Sequence, residues 1–418
     1  MTISLQDTDP QQPETSNKIW GLPKNVFFLG FVSLFTDFSS EVAIRTLPLF
    51  LANVLGVKTS IIGLIEGIAE STATLMRLVS GWVSDKVGKR KVLVTLGYGL
   101  SSFVKPLLYF ATNWSVVLGI RFLDRVGKGI RTSPRDALIA DSTSESERGK
   151  AFGFNKTMDP MGAMLGLSAA ALLVYFSQGG LLNLTRQTYQ NLVLLAVIPA
   201  ILSFFLLLLL VHDTTTAKRS VKSIHEKSGA LKLDANFKRY LGVLVLFTLG
   251  NSSDAFLMLR AQNLGMSIVE IFAILAVFNL VSSLVSYPAG KLSDKLSRKS
   301  LITIGWLIYA GVYLGFAVAQ GRLHVWLLYA VYGIYEGLTA GVEKALVADL
   351  VPAEIRGTAY GFFNTAIGIA ALPSSLIAGV LWQQLGPASP FLFGSALALI
   401  ALIGFGIFVK TDKASLAH

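Results

Sequence analysis

The chain has 418 residues, of which 53% are hydrophobic and 15% charged, and its mean hydropathy is +0.60. Soluble domains carry about 25% charged residues, so an ordinary soluble protein is excluded. The chain has no cysteine, which excludes disulfides and zinc–thiolate sites, and its four histidines fall in predicted loops, at helix ends or at the C-terminus. We therefore expect no metal and no cofactor. The net charge of +11 is typical of basic cytoplasmic loops, and we expect no nucleic-acid partner.

Apolar runs of about 20 residues recur along the chain, each long enough to cross a hydrocarbon layer about 30 Å thick. Lipid offers no hydrogen bonds to the backbone, and the runs are too long for barrel strands, so we predict helices. The predicted fold class is an all-α integral membrane protein with twelve transmembrane helices in two six-helix pseudo-symmetric bundles. The predicted spans are 25–55, 59–84, 91–111, 114–141, 149–177, 190–212, 237–262, 268–292, 299–320, 324–350, 356–384 and 388–410.

These spans divide the chain into two bundles and three polar segments. The first 24 residues are polar and have no cationic segment ahead of a short apolar core, so they do not resemble a cleaved signal peptide. The predicted parts are a disordered cytoplasmic tail at 1–24, an N-terminal bundle at 25–212, a cytoplasmic linker at 213–236, a C-terminal bundle at 237–410 and a cytoplasmic tail at 411–418.

Lys and Arg are concentrated in the loops that follow even-numbered spans, at 85–91, 218–239 and 294–299. Because cytoplasmic loops carry the excess of positive charge, both termini are predicted to face the cytoplasm. We expect a monomeric, multi-pass protein of a bacterial inner membrane, surrounded by lipid. The turns on the other side carry almost no positive charge, and they lie around Gly56, Asn113, Gly265 and Gly386.

The two halves repeat. The segment 81–86 matches 290–295, and the segment 140–153 matches 348–361 at nearly the same offset. Two matches in register at equivalent helix ends indicate an internal repeat. Parallel repeats related by an axis along the membrane normal leave a cavity between them. Rocking one half against the other exposes that cavity to each side in turn.

The segment 81–91 reads GWVSDKVGKRK. It resembles the loop 2–3 signature of the major facilitator superfamily, which is a glycine, an aspartate, a basic residue, a second glycine and a basic pair. The second copy has Ser297 where the first has Gly88, which suggests a looser gate. The turns at 147–149 and 354–357 resemble the acidic–Arg-Gly turns that open helices 5 and 11 of that superfamily. The conformational gate implied by these resemblances consists of Gly81, Asp85, Gly88, Lys89, Arg90, Asp294, Arg148 and Arg356.

Two further segments resemble superfamily signatures in part. The segment 121–127 is similar to the helix 4 signature, but it has Arg125 where a glycine is common. The segment 159–166 is similar to the helix 5 signature of antiporter members, but it has Asp159 where a glycine is expected. The resemblance covers nearly the whole chain at the level of fold, and it implies transport without specifying a substrate.

Ionisable side chains inside a membrane are costly, and they usually line a cavity or carry ions and protons. Asp37, Glu41 and Arg45 are spaced four residues apart in helix 1, so they share one face. Glu41 and Arg45 can neutralise each other and simply pack against a neighbouring helix. Asp37 has no partner within its own helix, and we favour a cavity role for it.

Helix 4 carries an unusually basic stripe. It suggests either a wall that attracts anions or a proton relay in which Asp124 or Asp159 exchanges partners with the bases. The residues nearest the cytoplasm, Arg131 and Arg135, are predicted to snorkel to the membrane surface. The deeper arginines need partners, for which Asp37, Glu41 or Asp159 are predicted. The stripe comprises Arg121, Arg125, Lys128, Arg131 and Arg135.

The remaining helices add fewer ionisable groups. Glu66, Glu70 and Arg77 share a face of helix 2, where a Glu70–Arg77 pair is one interpretation. The segment 252–254 looks like the counterpart of 39–41, although the alignment is uncertain by a few residues. The predicted substrate and coupling residues are Asp37, Glu41, Arg45, Arg121, Asp124, Arg125, Lys128, Asp159 and Asp254.

These features favour a secondary active transporter that works by alternating access, with proton-coupled efflux of a small organic solute as the first hypothesis. Uptake or exchange of an organic anion is the alternative that the basic stripe supports. A hypothesis of another class is a membrane receptor that does not transport. An enzyme is not expected, because the sequence has no nucleophile–base set, no phosphate-binding loop and no metal cluster.

Overall fold

A computed structural model of the chain describes residues 18–87, 89–143, 148–179, 181–213, 234–293, 296–351 and 356–409. Residues 1–17, almost all of the predicted linker and the predicted C-terminal tail therefore lie outside the described residues. Residues 18–23 were expected to belong to a disordered tail, but they form a small antiparallel hairpin in which Lys18–Ile19 pairs with Leu22–Pro23. The rest of the described chain is mainly helical.

The helices of the N-terminal half begin with a broken one. Residues 44–46 interrupt the first predicted span. The backbone amide of Arg45 donates to the carbonyl oxygen of Ser40 at 3.2 Å, five residues earlier rather than four. Pro48 lies in the first turn after the break, where a missing N–H costs nothing. The elements are α1 Lys24–Ala43, α2 Leu47–Asn53, α3 Thr59–Val87, α4 Arg90–Val104 with a 3-10 turn Lys105–Phe110, α5 Trp114–Asp141, α6 Arg148–Gln178 and α7 Arg186–Leu210.

The C-terminal half begins in the same way. Residues 251–253 interrupt its first helix, and the hydroxyl of Ser253 caps the second segment by accepting from the amide of Ala255 at 3.3 Å. The elements are α8 Ala235–Gly250, α9 Asp254–Asn263, α10 Ile268–Ser293, α11 Arg298–Val318, α12 Arg322–Asp349, α13 Arg356–Leu385 and α14 Ser389–Phe408.

Among the described residues, 10 helical segments are long and apolar enough to cross a membrane. The all-α membrane class is therefore confirmed. The helices α3 and α5 are also long enough to cross a membrane. They have 29 and 28 residues, and each spans about 40 Å at 1.5 Å per residue. They carry too much charge to be recognised by hydropathy, so the count of twelve spans stays a prediction.

The two halves pack against each other mainly through two pairs of helices, α3 with α13 and α6 with α10, and the shorter α2 also contacts α9. Small residues allow the close approach of α3 and α13. A Cβ added at Gly67 would lie 2.8 Å from the Cα of Leu372, so only glycine fits there. Within the N-terminal half α3 also packs along α5, and α1 packs along α6 and α7. This arrangement places α1, α3 and α5 around the space between the halves.

The two ends of the bundle differ. At one end, which we call the amide end, the side-chain amides of Asn53 and Gln262 are hydrogen-bonded to each other at 3.0 and 2.7 Å. At the other end, the basic end, Arg90 pairs with Asp141 at 2.5 Å. An equivalent ion pair joins Arg298 to Asp349 in the second half. Both partners of this second pair lie 208 residues after those of the first, so the repeat extends to the ion pairs.

Candidate functional site

A cavity of about 430 Å³ lies between the two halves. Its walls come from α1, α3 and α5 on one side and from α8, α9, α12 and α13 on the other. The structure thus brings together most of the predicted substrate and coupling residues, and it adds two acids of α3, one acid of α12 and Arg131 of α5. The charged side chains of the described residues that line it are Asp37, Glu41, Arg45, Glu66, Glu70, Arg121, Asp124, Arg125, Lys128, Arg131, Asp254 and Glu336.

Arg45 lies in the break between α1 and α2 and bridges the two halves. Its Nε is 3.4 Å from a carboxylate oxygen of Glu41, which is the intrahelical pair that the spacing predicts. Its Nη1 donates to Asp254 at 3.2 Å. The other oxygen of Asp254 accepts from the hydroxyl of Tyr332 at 3.3 Å. Two broken helices therefore meet at a single ion pair between the halves.

The contacts between the halves also determine the register of the repeat. Arg45 and Asp254 are 209 residues apart, as are Asn53 and Gln262. Gly81 and Gly290 of the repeated segments have the same offset. Positions near a two-fold axis contact their own counterparts, so Arg45 corresponds to Asp254. The expected match of 39–41 with 252–254, which the sequence left uncertain by a few residues, is therefore shifted by four residues.

The deep arginines of α5 are paired with acids of α3. Arg121 donates to Glu66 at 2.8 Å, and Arg125 lies 3.5 Å from Glu70. Asp124 lies 3.9 Å from Arg121 and 3.6 Å from Arg125. The predicted partners Asp37, Glu41 and Asp159 are wrong. Glu70 contacts Arg125 directly and remains within electrostatic reach of Arg77. The packing of α3 along α5 selects the partners, and no local pattern reports it.

Lys105 belongs to this charged region, but the sequence analysis missed it. Its side chain is 1% exposed, and its Nζ donates to the hydroxyls of Ser39 and Ser40 at 3.2 and 2.9 Å. It thereby ties the 3-10 turn after α4 to the last turn of α1. The available signal was a lysine followed by Pro106 near the end of an apolar span. Glu66 and Glu70 were noticed in the sequence but not placed in the site.

Nearer the basic end, Asp37, Lys128 and Arg131 line the cavity, and Asp37 is within electrostatic reach of both bases. Arg131 is 6% exposed and stacks over the ring of Tyr98 at 4.4 Å. Arg135 donates to the hydroxyl of Ser33 at 3.0 Å. The predicted snorkelling of these two arginines is wrong, because the protein interior supplies their partners.

Asp159 is absent from the cavity wall, although its carboxylate is within electrostatic reach of Asp37. Its Oδ1 is buried and has no hydrogen-bond partner among the described residues. The side chain of Lys156, which precedes it by three residues, lies outside the described part of the chain. Asp159 therefore remains a candidate that the structure places near the site rather than in it.

The predicted gate is described only in part. Gly88 and Asp294 lie outside the described residues, as do the side chains of three others, Asp85, Arg148 and Arg356. Arg148 and Arg356 begin α6 and α13, as the turn pattern predicts. Lys89 is exposed just before α4. A Cβ at Gly81 would meet Ser133 at an ordinary 3.5 Å, so packing does not require glycine there.

The C-terminal wall is aromatic and acidic. Tyr332 stacks on Phe278 with 5.2 Å between ring centroids and on Tyr335 at 5.5 Å. Glu336 follows Tyr332 by one helical turn and lines the same cavity. In the part of the chain that the structure describes, no group of three or more His, Asp and Glu could hold a metal ion. The arrangement is that of a polar solute site between two helical halves.

A family model described as Major Facilitator Superfamily matches residues 27–342 and 240–417. The chain belongs to the major facilitator superfamily. An MFS-type transporter of Methanocaldococcus jannaschii is 39% identical to it over 386 residues, which cover 91% of this chain and 94% of that protein. The proton-coupled antiporter flippase LtaA of Staphylococcus haemolyticus is 24% identical over 414 residues, which cover 95% and 98% of the two chains.

The fold is shared with solved members. A crystal structure of a POT family transporter in complex with 5-aminolevulinic acid has a TM-score of 0.78 at 13% identity, covering 94% of this chain and 97% of that one. At this identity the likeness concerns the fold alone. The resemblance of the segment 81–91 to the loop 2–3 signature of the major facilitator superfamily is confirmed, and the relatives and structural neighbours of the chain are transporters.

Proposed function

We propose that this major facilitator protein is a secondary active transporter that works by alternating access and exports a small organic solute in exchange for protons. One observation carries the proposal. The cavity lies between the two halves, receives side chains from both, and is crossed by the ion pair of Arg45 and Asp254. A solute bound there contacts both halves at once, so its binding energy acts on their relative position.

The state of the protein supports a cavity that faces the cytoplasm. The hydrogen bonds that join described residues of the two halves are confined to one part of the bundle. They begin at the amide end, and the last of them along the bundle is the contact of Ser71 with Gly368 at 2.5 Å. The distribution of basic loops predicts that the amide end is extracellular. We infer that the extracellular path is closed in this state, and that the protein lies in a bacterial inner membrane.

Asp37 and Asp159 are the proposed coupling acids. Asp37 lines the cavity and makes no hydrogen bond or ion pair to another described residue, and the two carboxylates repel each other electrostatically. The charged groups that face Asp37 are Asp159 and the bases Lys128, Arg131 and Arg135. A proton held by Asp37 or Asp159 would be released when the bases move closer, because positive charge stabilises the ionised carboxylate. The 24% identity to a proton-coupled antiporter also supports exchange of protons for solute.

Alternating access can be tested without a known substrate, because the natural chain has no cysteine. Ala371 lines the cavity, and Ala371→Cys is a small change that reports its accessibility. Asn53→Cys and Gln262→Cys are added to this reporter variant. A short bifunctional thiosulfonate reagent then joins the two new cysteines and locks the amide end. We expect cross-linking to abolish labelling of the reporter by an impermeant maleimide added outside. The control carries the reporter Ala371→Cys and Asn53→Cys without Gln262→Cys, and it is treated identically. Equal labelling of the reporter in the cross-linked protein and in the control would contradict alternating access.

Proton coupling is tested in proteoliposomes with an imposed pH gradient. The probes are two permanently charged ions, trimethyl(1-naphthylmethyl)ammonium and 1-naphthalenesulfonate. We expect the gradient to drive flux of one of them in the wild type, and the flux to be lost in Asp37→Asn and in Asp159→Asn. Glu343→Gln, a buried acid outside the cavity, is the matched control. Normal gradient-driven flux in both aspartate variants would refute the coupling assignment.

A further inference from the structure

The charges of the cavity wall are not distributed evenly between the halves. Among the described lining residues, the N-terminal half contributes five acids and five bases, so that its wall is formally neutral. The C-terminal half contributes two acids, Asp254 and Glu336, and no base. The whole excess of negative charge therefore belongs to one wall. An excess of negative charge within the membrane is costly unless a counter-charge enters with a ligand.

The basic stripe of α5 does not reverse this balance. Arg121 is engaged by Glu66 at 2.8 Å, and Arg125 lies within 3.6 Å of both Asp124 and Glu70. The remaining bases of the stripe that line the cavity, Lys128 and Arg131, lie within electrostatic reach of Asp37. Each base in the wall thus has an acid of its own half nearby, which offsets its charge.

Carboxylate oxygens of the wall also lack donors. Glu66 is 4% exposed, and while its Oε2 accepts from Arg121, its Oε1 is buried without a hydrogen-bond partner among the described residues. The Oε2 of Glu41 is likewise buried and receives no hydrogen bond, although Arg45 is 3.4 Å away. Buried acceptors without donors are rare in folded proteins. Arginine N–H groups of the same wall also lack hydrogen-bond partners among the described residues, such as Nη1 of Arg121 and Nε of Arg125. Groups of both kinds are therefore open to a ligand on this side, and the excess of acids over bases in the whole cavity wall is what selects a cation.

An aromatic ring completes the acidic wall. Tyr332 is 4% exposed, lines the cavity and precedes Glu336 by one turn of α12. Its hydroxyl is 3.3 Å from Asp254, and Phe278 packs against its ring. The oxygen of this hydroxyl can also accept a hydrogen bond from an ammonium group. Met258 and Ile367 supply apolar wall next to these groups. Acids, a hydroxyl and apolar surface together match an amine that bears an apolar group.

We propose that the cavity takes a small organic cation, a protonated amine with an apolar substituent, whose charge lies among Asp254, Glu336 and the hydroxyl of Tyr332. This substrate class rests on the transport function proposed above. The cavity volume of about 430 Å³ lies within the range of roughly 300–1,000 Å³ of small-molecule sites. The amine competes with Arg45 for Asp254, and its binding therefore weakens the ion pair that holds the halves together.

The test is a thermal-shift measurement on the purified full chain with three matched probes: 1-naphthylmethylammonium, 1-naphthoate and 1-naphthylmethanol. A ligand raises the melting temperature of the state it binds. We expect the ammonium ion to stabilise the wild type. Glu336→Gln should weaken its binding about tenfold, which is the loss expected for one charge-assisted contact.

Glu343→Gln is the matched control, because Glu343 lies on the same helix, accepts from Trp306 at 3.0 Å and does not line the cavity. It should bind the ammonium ion like the wild type. If Glu336→Gln does not fold, Asp254→Asn takes its place with the same expectation. Stabilisation by 1-naphthoate, equal stabilisation by the alcohol, no stabilisation by any probe, or equal effects of the two glutamate variants would overturn the cation assignment.

The failure of this proposal is distinguishable from the failure of the proposed function. The accessibility of Ala371→Cys with and without the cross-link at Asn53→Cys and Gln262→Cys involves no ligand. Alternating access can therefore stand while the cation class falls. If labelling does not depend on the cross-link and the ammonium ion still binds, the proposed cation site stands and the proposed transport function falls.

Discussion

Glu66 and Glu70 lie one turn apart on α3, and each faces an arginine of α5, but their surroundings differ. The side chain of Glu66 is 6% exposed and that of its partner Arg121 is 5% exposed. The side chain of Glu70 is 49% exposed, and the cavity solvates it. Removing one member of a buried ion pair leaves the other charge without compensation, whereas water replaces a lost partner at an exposed site.

We therefore expect Glu66→Gln to lower the free energy of unfolding by about 3–5 kcal/mol. Glu70→Gln should lower it by about 1 kcal/mol or less. Denaturation of the purified variants in the same detergent measures both values, and Glu70→Gln serves as the control for loss of a carboxylate charge on α3. Equal losses of stability in the two variants would show that burial does not set the strength of these pairs.

At the scale of elements, the contact of α3 with α13 holds the halves together on the side of the amide end. It depends on glycine, since a Cβ at Gly67 would lie 2.8 Å from the Cα of Leu372. The hydroxyl of Thr59 donates to the carbonyl of Gly379 at 3.1 Å, and the hydroxyl of Ser60 donates to Gln383 at 2.6 Å. The contact is thus a small-residue interface with polar links, which suits a surface that must separate and close again.

Gly67→Leu should force α3 away from α13 and open the amide end. Inserting methylenes into a packed interface costs about 1–3 kcal/mol. We expect faster labelling of Ala371→Cys from outside and a lower melting temperature. Gly119→Leu is the control, because a Cβ at Gly119 meets nothing within 4 Å. The same labelling rate in both variants would mean that the close approach of the backbones does not control opening.

For the whole molecule, the ion pair of Arg45 and Asp254 joins the two halves at their pseudo-two-fold axis. Arg45 lies in the break of the first helix of its half, and Asp254 directly follows the break in the first helix of the other half, so the pair links two irregular segments. The side chains of Arg45 and Asp254 are 24% and 37% exposed, so the pair is neither fully buried nor fully solvated. Its energy is small, but it acts directly on the equilibrium between closed and open states.

Asp254→Asn should shift that equilibrium towards opening at the amide end. Losing about 1 kcal/mol changes a population ratio about fivefold, so outside labelling of Ala371→Cys should become about five times faster. The control is Glu270→Gln, whose partner Arg322 lies 3.5 Å away within the same half. An unchanged rate in Asp254→Asn, or an equal increase in Glu270→Gln, would exclude the pair between the halves as a determinant of opening.

The sequence by itself determined the membrane class and the family, and it predicted the repeat and most of the ionisable residues that line the cavity between the halves. These features are local, because hydropathy and spacing report on one helix at a time. It also predicted the pair of Glu41 with Arg45, since the two residues lie one turn apart on the same helix.

Only the tertiary structure decided which charges meet between helices. The partner of Arg121 is 55 residues away on α3, and the partner of Arg45 is 209 residues away in the other half. Such pairs depend on which helices are neighbours and how each is rotated, and packing alone sets both. The breaks at 44–46 and 251–253 and the buried Lys105 were hidden for the same reason. The acids that give the cavity its excess charge were visible in the sequence, but their common wall was not.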